Sequence, residues 1–340
     1  MNTRARFALL VAIVAIVAVA VGIGGVIFVN RTINSPDAVV RSYFAALSTG
    51  DAASARALPG VVSNTLGPDQ LVLLQTGAFL PPRDVTIAAP AVEGNEATVE
   101  ATYFVGEREQ RATFSLVAEP GTLGVLGQWR FSEPPLGRLN VAVVHDTAFQ
   151  VGDLGTVDVR SYDGGAAEAF AASATFPVFV GVGYDIYRST SLLNAPHDLV
   201  FVSEAAIQTI SVEVSTTPAF VAAVQEKVDV ALTECLTQQV LMPTGCPFGY
   251  ATENRWVGDA SWSLPAQPQL TIVAGDNGWL ASGDGVAHLT GTVQSLFDGS
   301  ETPVEGHSIF SCAGLAFACQ ALRCDERGEQ VCCLDAIGSR

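Results

Sequence analysis

Seven cysteines and four histidines are the side chains of this 340-residue chain best suited to metal binding, redox chemistry or proton transfer. Five cysteines, Cys312, Cys319, Cys324, Cys332 and Cys333, lie within 22 residues of one another near the C-terminus. Zinc knuckles pair cysteines two to four residues apart. The spacings here do not fit that pattern. Three readings stay open for the tail: disulfide bonding, a metal or redox role, and a frame change after about Ser311 that replaces a last strand with a non-native peptide. The odd total of seven leaves at least one thiol without an intramolecular partner.

Cys235 and Cys246 form a separate pair. They bracket a 12-residue segment whose second half, Pro243-Thr244-Gly245-Cys246-Pro247, is stiffened by proline. In an oxidising compartment these two are expected to form a disulfide. The alternative is two buried thiols.

The histidines are less promising. His145-Asp146 and His197-Asp198 look like general-base or metal pairs. Neighbours along a strand point to opposite faces, however, so neither pair converges on one ligand. His288 and His307 fall near strand positions without an acid next to them in the chain. No serine sits in a nucleophile elbow and no glycine-lysine phosphate loop occurs. The expectation is no catalytic residue, no metal ligand and no cofactor. Trp129, Trp262 and Trp279 lie in strand-like runs and are expected in the core; Trp256 lies in the loop after Cys246.

The elements that must carry these residues begin with an apolar run. Phe7 to Val29 contains 23 residues without a charge, enough for a helix of roughly 34 Å that spans a bilayer. Arg4 and Arg6 precede it and only Arg31 follows closely. The positive-inside rule then puts residues 1–6 in the cytoplasm and everything after the span outside. A signal peptide cleaved after Ala20 is the competing reading. The chain carries a net charge of −17, and all 34 acidic residues follow the apolar run. So acidic an exported part repels nucleic acid and anionic headgroups.

The predicted fold class is α+β, in several units. Residues 35–133 open with helices: Ser35-Pro36-Asp37 is a helix start, and Val40, Tyr43, Phe44 and Leu47 share one face. Period-two strands follow, including Ala97 to Val105 and Ala112 to Ala118. Residues 135–215 alternate short β runs with glycine turns and predict a small β-sandwich. Residues 217–311 repeat the first plan, with a helix from Thr217-Pro218 to about Leu236 and then a meander. Residues 312–340 form the cysteine-rich tail.

The phrase SPDAVVRSYFAALSTGDAASARAL, followed by a meander ending in GQWRF, resembles the nuclear-transport-factor-2-like (cystatin-like) superfamily, in particular exported domains of uncharacterised actinobacterial single-pass membrane proteins. The resemblance covers about 100 residues and implies helices packed in a curved antiparallel sheet around a cone-shaped cavity. Enzymes of the superfamily place Asp, His or Tyr in the cone. Here the inward strand positions look apolar and the region has no histidine. The spacing of Cys235 and Cys246 in C-x10-CPFG also resembles an element of those proteins.

Together these readings predict a non-enzymatic, membrane-tethered cell-envelope protein that binds a partner protein or a small apolar ligand. The alternatives are an enzyme or lipid binder using the cone, and a cell-wall polysaccharide binder using the sandwich.

Overall fold

The computed structural model describes residues 35–62, 67–119, 128–162, 166–168, 170–315, 322–323 and 331–334. Helix α1, Pro36–Ser48, starts as its proline requires and ends before Gly50, which has φ +73°. Its buried face is Val40, Tyr43, Phe44 and Leu47, the i, i+3, i+4, i+7 stripe of an amphipathic helix. Helix α2, Ala52–Ala57, is capped by Asp51, whose side chain accepts from the Ser54 amide at 3.0 Å. A 3-10 turn over Pro68–Leu74 follows.

The helices cover an antiparallel sheet of β1 (Arg83–Ile87), β2 (Ala91–Glu93), β3 (Glu96–Val105), β4 (Arg108–Glu119) and β5 (Gln128–Phe131). Its order is β1-β3-β4-β5, with β2 also on β3. The period-two reading of this region is met: Ala97, Val99, Ala101, Tyr103 and Val105 point inward, opposite Ala112, Phe114 and Leu116.

Two sheets make the next layer pair. One joins β6 (Leu136–Val144), β9 (Ala166–Glu168), β10 (Ala171–Phe179) and β13 (Ile207–Glu213), with β13 parallel to β6. The other joins β7 (Ala148–Val151), β8 (Gly155–Asp158), β11 (Val182–Ser189), β12 (Leu193–Val202) and β14 (Ser215–Thr216). Phe149 and Phe176 meet across the gap, ring centroids 5.9 Å apart.

One hydrophobic core runs from Val40 to Val214 through both parts. The Tyr43 hydroxyl sits between the Pro135 and Val180 carbonyls, at 3.1 and 2.7 Å. The Tyr184 hydroxyl accepts from the Phe179 amide and donates to the Leu73 carbonyl. Leu80 and Gly183 exchange backbone hydrogen bonds. Gly181, at φ +101°, brings the backbone so close to Phe44 that a Cβ there would lie 2.9 Å from its ring.

Helix α3, Pro218–Leu236, is capped by the Thr217 hydroxyl accepting from the Phe220 amide. It packs on a sheet of β15 (Arg255–Ser263), β16 (Thr271–Gly275), β17 (Gly278–Gln294) and β18 (Glu301–Leu315). Short strands β19 (Leu322–Arg323) and β20 (Val331–Leu334) extend its edge. Val228, Leu232 and Cys235 meet Phe248, Trp262, Leu289 and Phe310 in a second core.

The expected α+β class with an N-terminal transmembrane helix is corrected. Three α-helices stand against twenty strands among the described residues, so the protein is mainly β. No helix among them is long and apolar enough to cross a membrane, and the run from Phe7 to Val29, read as a spanning helix, lies outside the described residues. In the third region strand runs on through glycines. β17 passes through Gly283, Gly285 and Gly291 without a break. A side chain at Gly285 or Gly291 would collide with the Phe310 or Trp256 ring, so these glycines admit rings onto the sheet rather than interrupt it.

Tyr43→Phe removes a donor from two buried carbonyls at the boundary of the first two parts. It is expected to lower unfolding stability by about 1–3 kcal/mol, read as a lower urea midpoint with an unchanged slope.

Candidate functional site

The interior of the first part is the place where the resemblance puts a cavity. Rings fill it. Tyr43 meets Phe114 and Phe131 edge-on at 5.8 and 5.5 Å, and Phe44 meets Tyr103 at 5.1 Å. The ionisable groups there are phenols. Burial pushes Tyr43, Tyr103 and Tyr184 well above the ordinary tyrosine range, with Tyr43 raised further by the neighbouring Tyr184 and Tyr103. All three stay protonated at neutral pH, so none is a general base. Tyr103 Oη is buried without a hydrogen-bond partner among the described residues.

The histidine-acid neighbours diverge, His197 and Asp198 because they are successive residues of β12 and His145 and Asp146 because they lie in a turn. His145 occupies a turn at φ +66°, and its Nδ1 lies 3.2 Å from the Val214 carbonyl, which fixes that nitrogen as a donor. Its ring packs on Phe170 and Trp279, 5.2 and 5.5 Å away. Asp146 turns elsewhere, accepting from the Thr147 amide and pairing with Arg188 at 2.7 Å. His145 thus closes an apolar junction of Phe170, Trp279 and Phe220 between the β layers and α3.

His197 does not use Asp198. It pairs across the ladder with Asp185, Nδ1 to Oδ2 2.9 Å, and stacks on Tyr187 at 4.0 Å. The histidine side chain of that pair is 63% exposed, which makes it a weak surface contact. Trp262 and Trp279 are core residues, as expected; the Trp262 indole donates to the Val240 carbonyl at 2.8 Å.

Cys235 and Cys246 lie at disulfide distance, S–S 2.07 Å and Cα–Cα 5.7 Å. The link ties the end of α3 to the loop that carries Phe248 into the second core. Of the tail cysteines, Cys319 and Cys324 lie outside the described residues. Cys312 is buried in the second core, and β18 runs through it without a register break as far as Leu315. The backbone of Cys332 pairs with that of Cys312. Among the described residues no group of three or more His, Cys, Asp or Glu side chains could hold a metal ion.

Two features escaped the sequence reading. One is the tip of the β17–β18 hairpin, residues 295–300, where Phe297 is 100% and Leu296 74% exposed. The tip is held in shape. Ser295 Oγ accepts from the Phe297 and Asp298 amides, Asp298 accepts from the Ser300 amide and hydroxyl, and the Gly299 amide donates back to Ser295. The Ser300 hydrogen bonds hold the Asp298 carboxyl below its ordinary value. The other is register. His288 stands directly opposite His307. Counting equal distances outward from Ser295 and Ser300 would have found that pair once the turn was recognised.

No family model matches the chain, and neither does any curated protein or solved structure.

Two outcomes follow from this geometry. The folded-state values of the three buried phenols lie above the unfolded value of about 10. Their contribution to stability is therefore complete below that pH and is lost as pH rises through the folded-state values. Ultraviolet titration is expected to show three of the six tyrosines ionising only as the protein unfolds in alkali. Replacing both Cys235 and Cys246 by Ala is expected to cost about 3 kcal/mol by the loop-closure argument. Comparing urea midpoints of the natural and doubly substituted chains, each with and without reductant, checks it, since reductant then acts through this bond only in the natural chain.

Proposed function

We propose that this is a non-catalytic cell-envelope protein whose exported part binds a partner protein, with the β17–β18 hairpin tip as its point of contact. Phe297 carries the reading. A fully exposed phenylalanine contributes nothing to its own fold, whereas burying it in a partner's apolar pocket stabilises a complex by roughly 1.5–3 kcal/mol. Its turn is fixed by hydrogen bonds before any partner arrives, so little ordering entropy is lost on contact. Aromatic anchors surrounded by polar neighbours are what binding hot spots use, and Ser295, Asp298 and Ser300 supply that rim.

Location outside the cytoplasm is supported by Cys235 and Cys246, whose pairing suits an oxidising compartment. The charge-free stretch from Phe7 to Val29 supports attachment to a membrane. The acidic surface argues against nucleic acid as the partner.

A photo-cross-linking residue at position 297, in intact cells, is expected to capture one envelope protein, and Phe297→Asp is expected to cut co-purification of that protein at least tenfold while leaving the melting temperature unchanged. Equal recovery with Phe297→Asp, or no adduct at 297, would remove the hairpin tip as the binding element.

A further inference from the structure

Register on the β17–β18 hairpin places two histidines directly opposite one another. His288 pairs with His307 on one flank and with Ser263 of β15 on the other. The kind of pair follows from the turn. The Ser295 amide donates to the Ser300 carbonyl, so residues 295 and 300 form a hydrogen-bonded pair. Hydrogen-bonded and non-hydrogen-bonded pairs alternate along an antiparallel ladder. Counting back, Thr292 and Pro303 form a non-hydrogen-bonded pair, which suits a proline without an amide hydrogen. His288 and His307 fall in the same class. Side chains in such pairs approach most closely, with Cβ atoms about 4.5–5.5 Å apart.

Both histidines are exposed, while their strand neighbours Ala287, Leu289, Ser308 and Phe310 are buried. The two side chains therefore leave the solvent face of the sheet from facing positions. Ser263 is small and leaves space beside them. The other histidines have ring partners, Val214 for His145 and Asp185 for His197. His288 and His307 have none among the described residues.

We propose that His288 and His307 form a two-point clamp for a divalent transition-metal ion, Cu2+ ahead of Zn2+. Imidazole nitrogen selects Cu, Ni and Zn over Ca and Mg, and Cu2+ binds tightest among the divalent first-row ions. The remaining coordination positions go to water. A chain with a net charge of −17 adds a favourable field for a cation. Glu305, on the same face and opposite Thr290, adds negative charge two residues from His307. The bound ion bridges the two arms of the hairpin at its seventh rung below residues 295 and 300, so it holds together the stem that presents Phe297.

The test is calorimetric titration of the full chain with Cu2+ alone and with Zn2+ alone, after alkylating free thiols so that tail cysteines cannot compete. One ion per chain is expected, with Cu2+ tighter than Zn2+. His288→Ala and His307→Ala are each expected to weaken binding at least tenfold, and His197→Ala to leave it unchanged. Metal-free melting temperatures of the variants confirm that the exposed substitutions leave the fold intact. Absence of binding up to millimolar metal, or binding that survives both His288→Ala and His307→Ala, overturns the clamp. Neither result depends on Phe297 or on a partner protein.

Discussion

Tyr43 is a helix-face residue that ends in a hydrogen bond to a different sheet. Its ring belongs to the aromatic interior beneath α1, and its hydroxyl lies between the carbonyls of Pro135 and Val180. Those carbonyls sit where the chain leaves the first sheet and where β10 gives way to β11. A buried carbonyl without a donor is costly, and a phenol is one of the few side chains that is both large enough to fill a core and able to donate at its far end. Tyr184 performs the same service in the opposite direction, from β11 to the Leu73 carbonyl. These reciprocal contacts make the first two parts share one interior. They also leave that interior packed with rings.

The third part follows a different logic. It is joined to the β layers through a small aromatic junction of Trp279, Phe170, Phe220 and His145. Its own core is tied by Cys235 and Cys246 to a loop that is also held by Phe248 and by hydrogen bonds between Gln238 and Thr244 and from the Trp262 indole to the Val240 carbonyl. From this base the β17–β18 hairpin extends over 17 and 15 residues. One face packs on α3, and the other carries His288, His307, Val286 and Ile309 into solvent. The exposed tip and the paired imidazoles are therefore two consequences of one long hairpin with a single covered face.

Much of the local structure was legible in the sequence. Pro36 and Pro218 mark two helix starts within a residue, because proline fits the first helical turn and little else in a helix. The alternation from Ala97 to Val105 marks an inward face, because a strand has period two. The cysteine pair was legible from spacing and compartment. The balance of classes was not. Gly283 and Gly285 in β17 look like punctuation until the Phe310 ring is seen lying against Gly285.

The sequence by itself determined which residues face inward and where helices begin, because these depend on local periodicity and residue chemistry. Tertiary structure alone decided the partners. His197 chose Asp185 rather than its neighbour Asp198, and His288 met His307 across a turn. Strand register joins residues that are distant in the chain, and it is set by a turn and by the burial of one face. No property of an individual histidine carries that information.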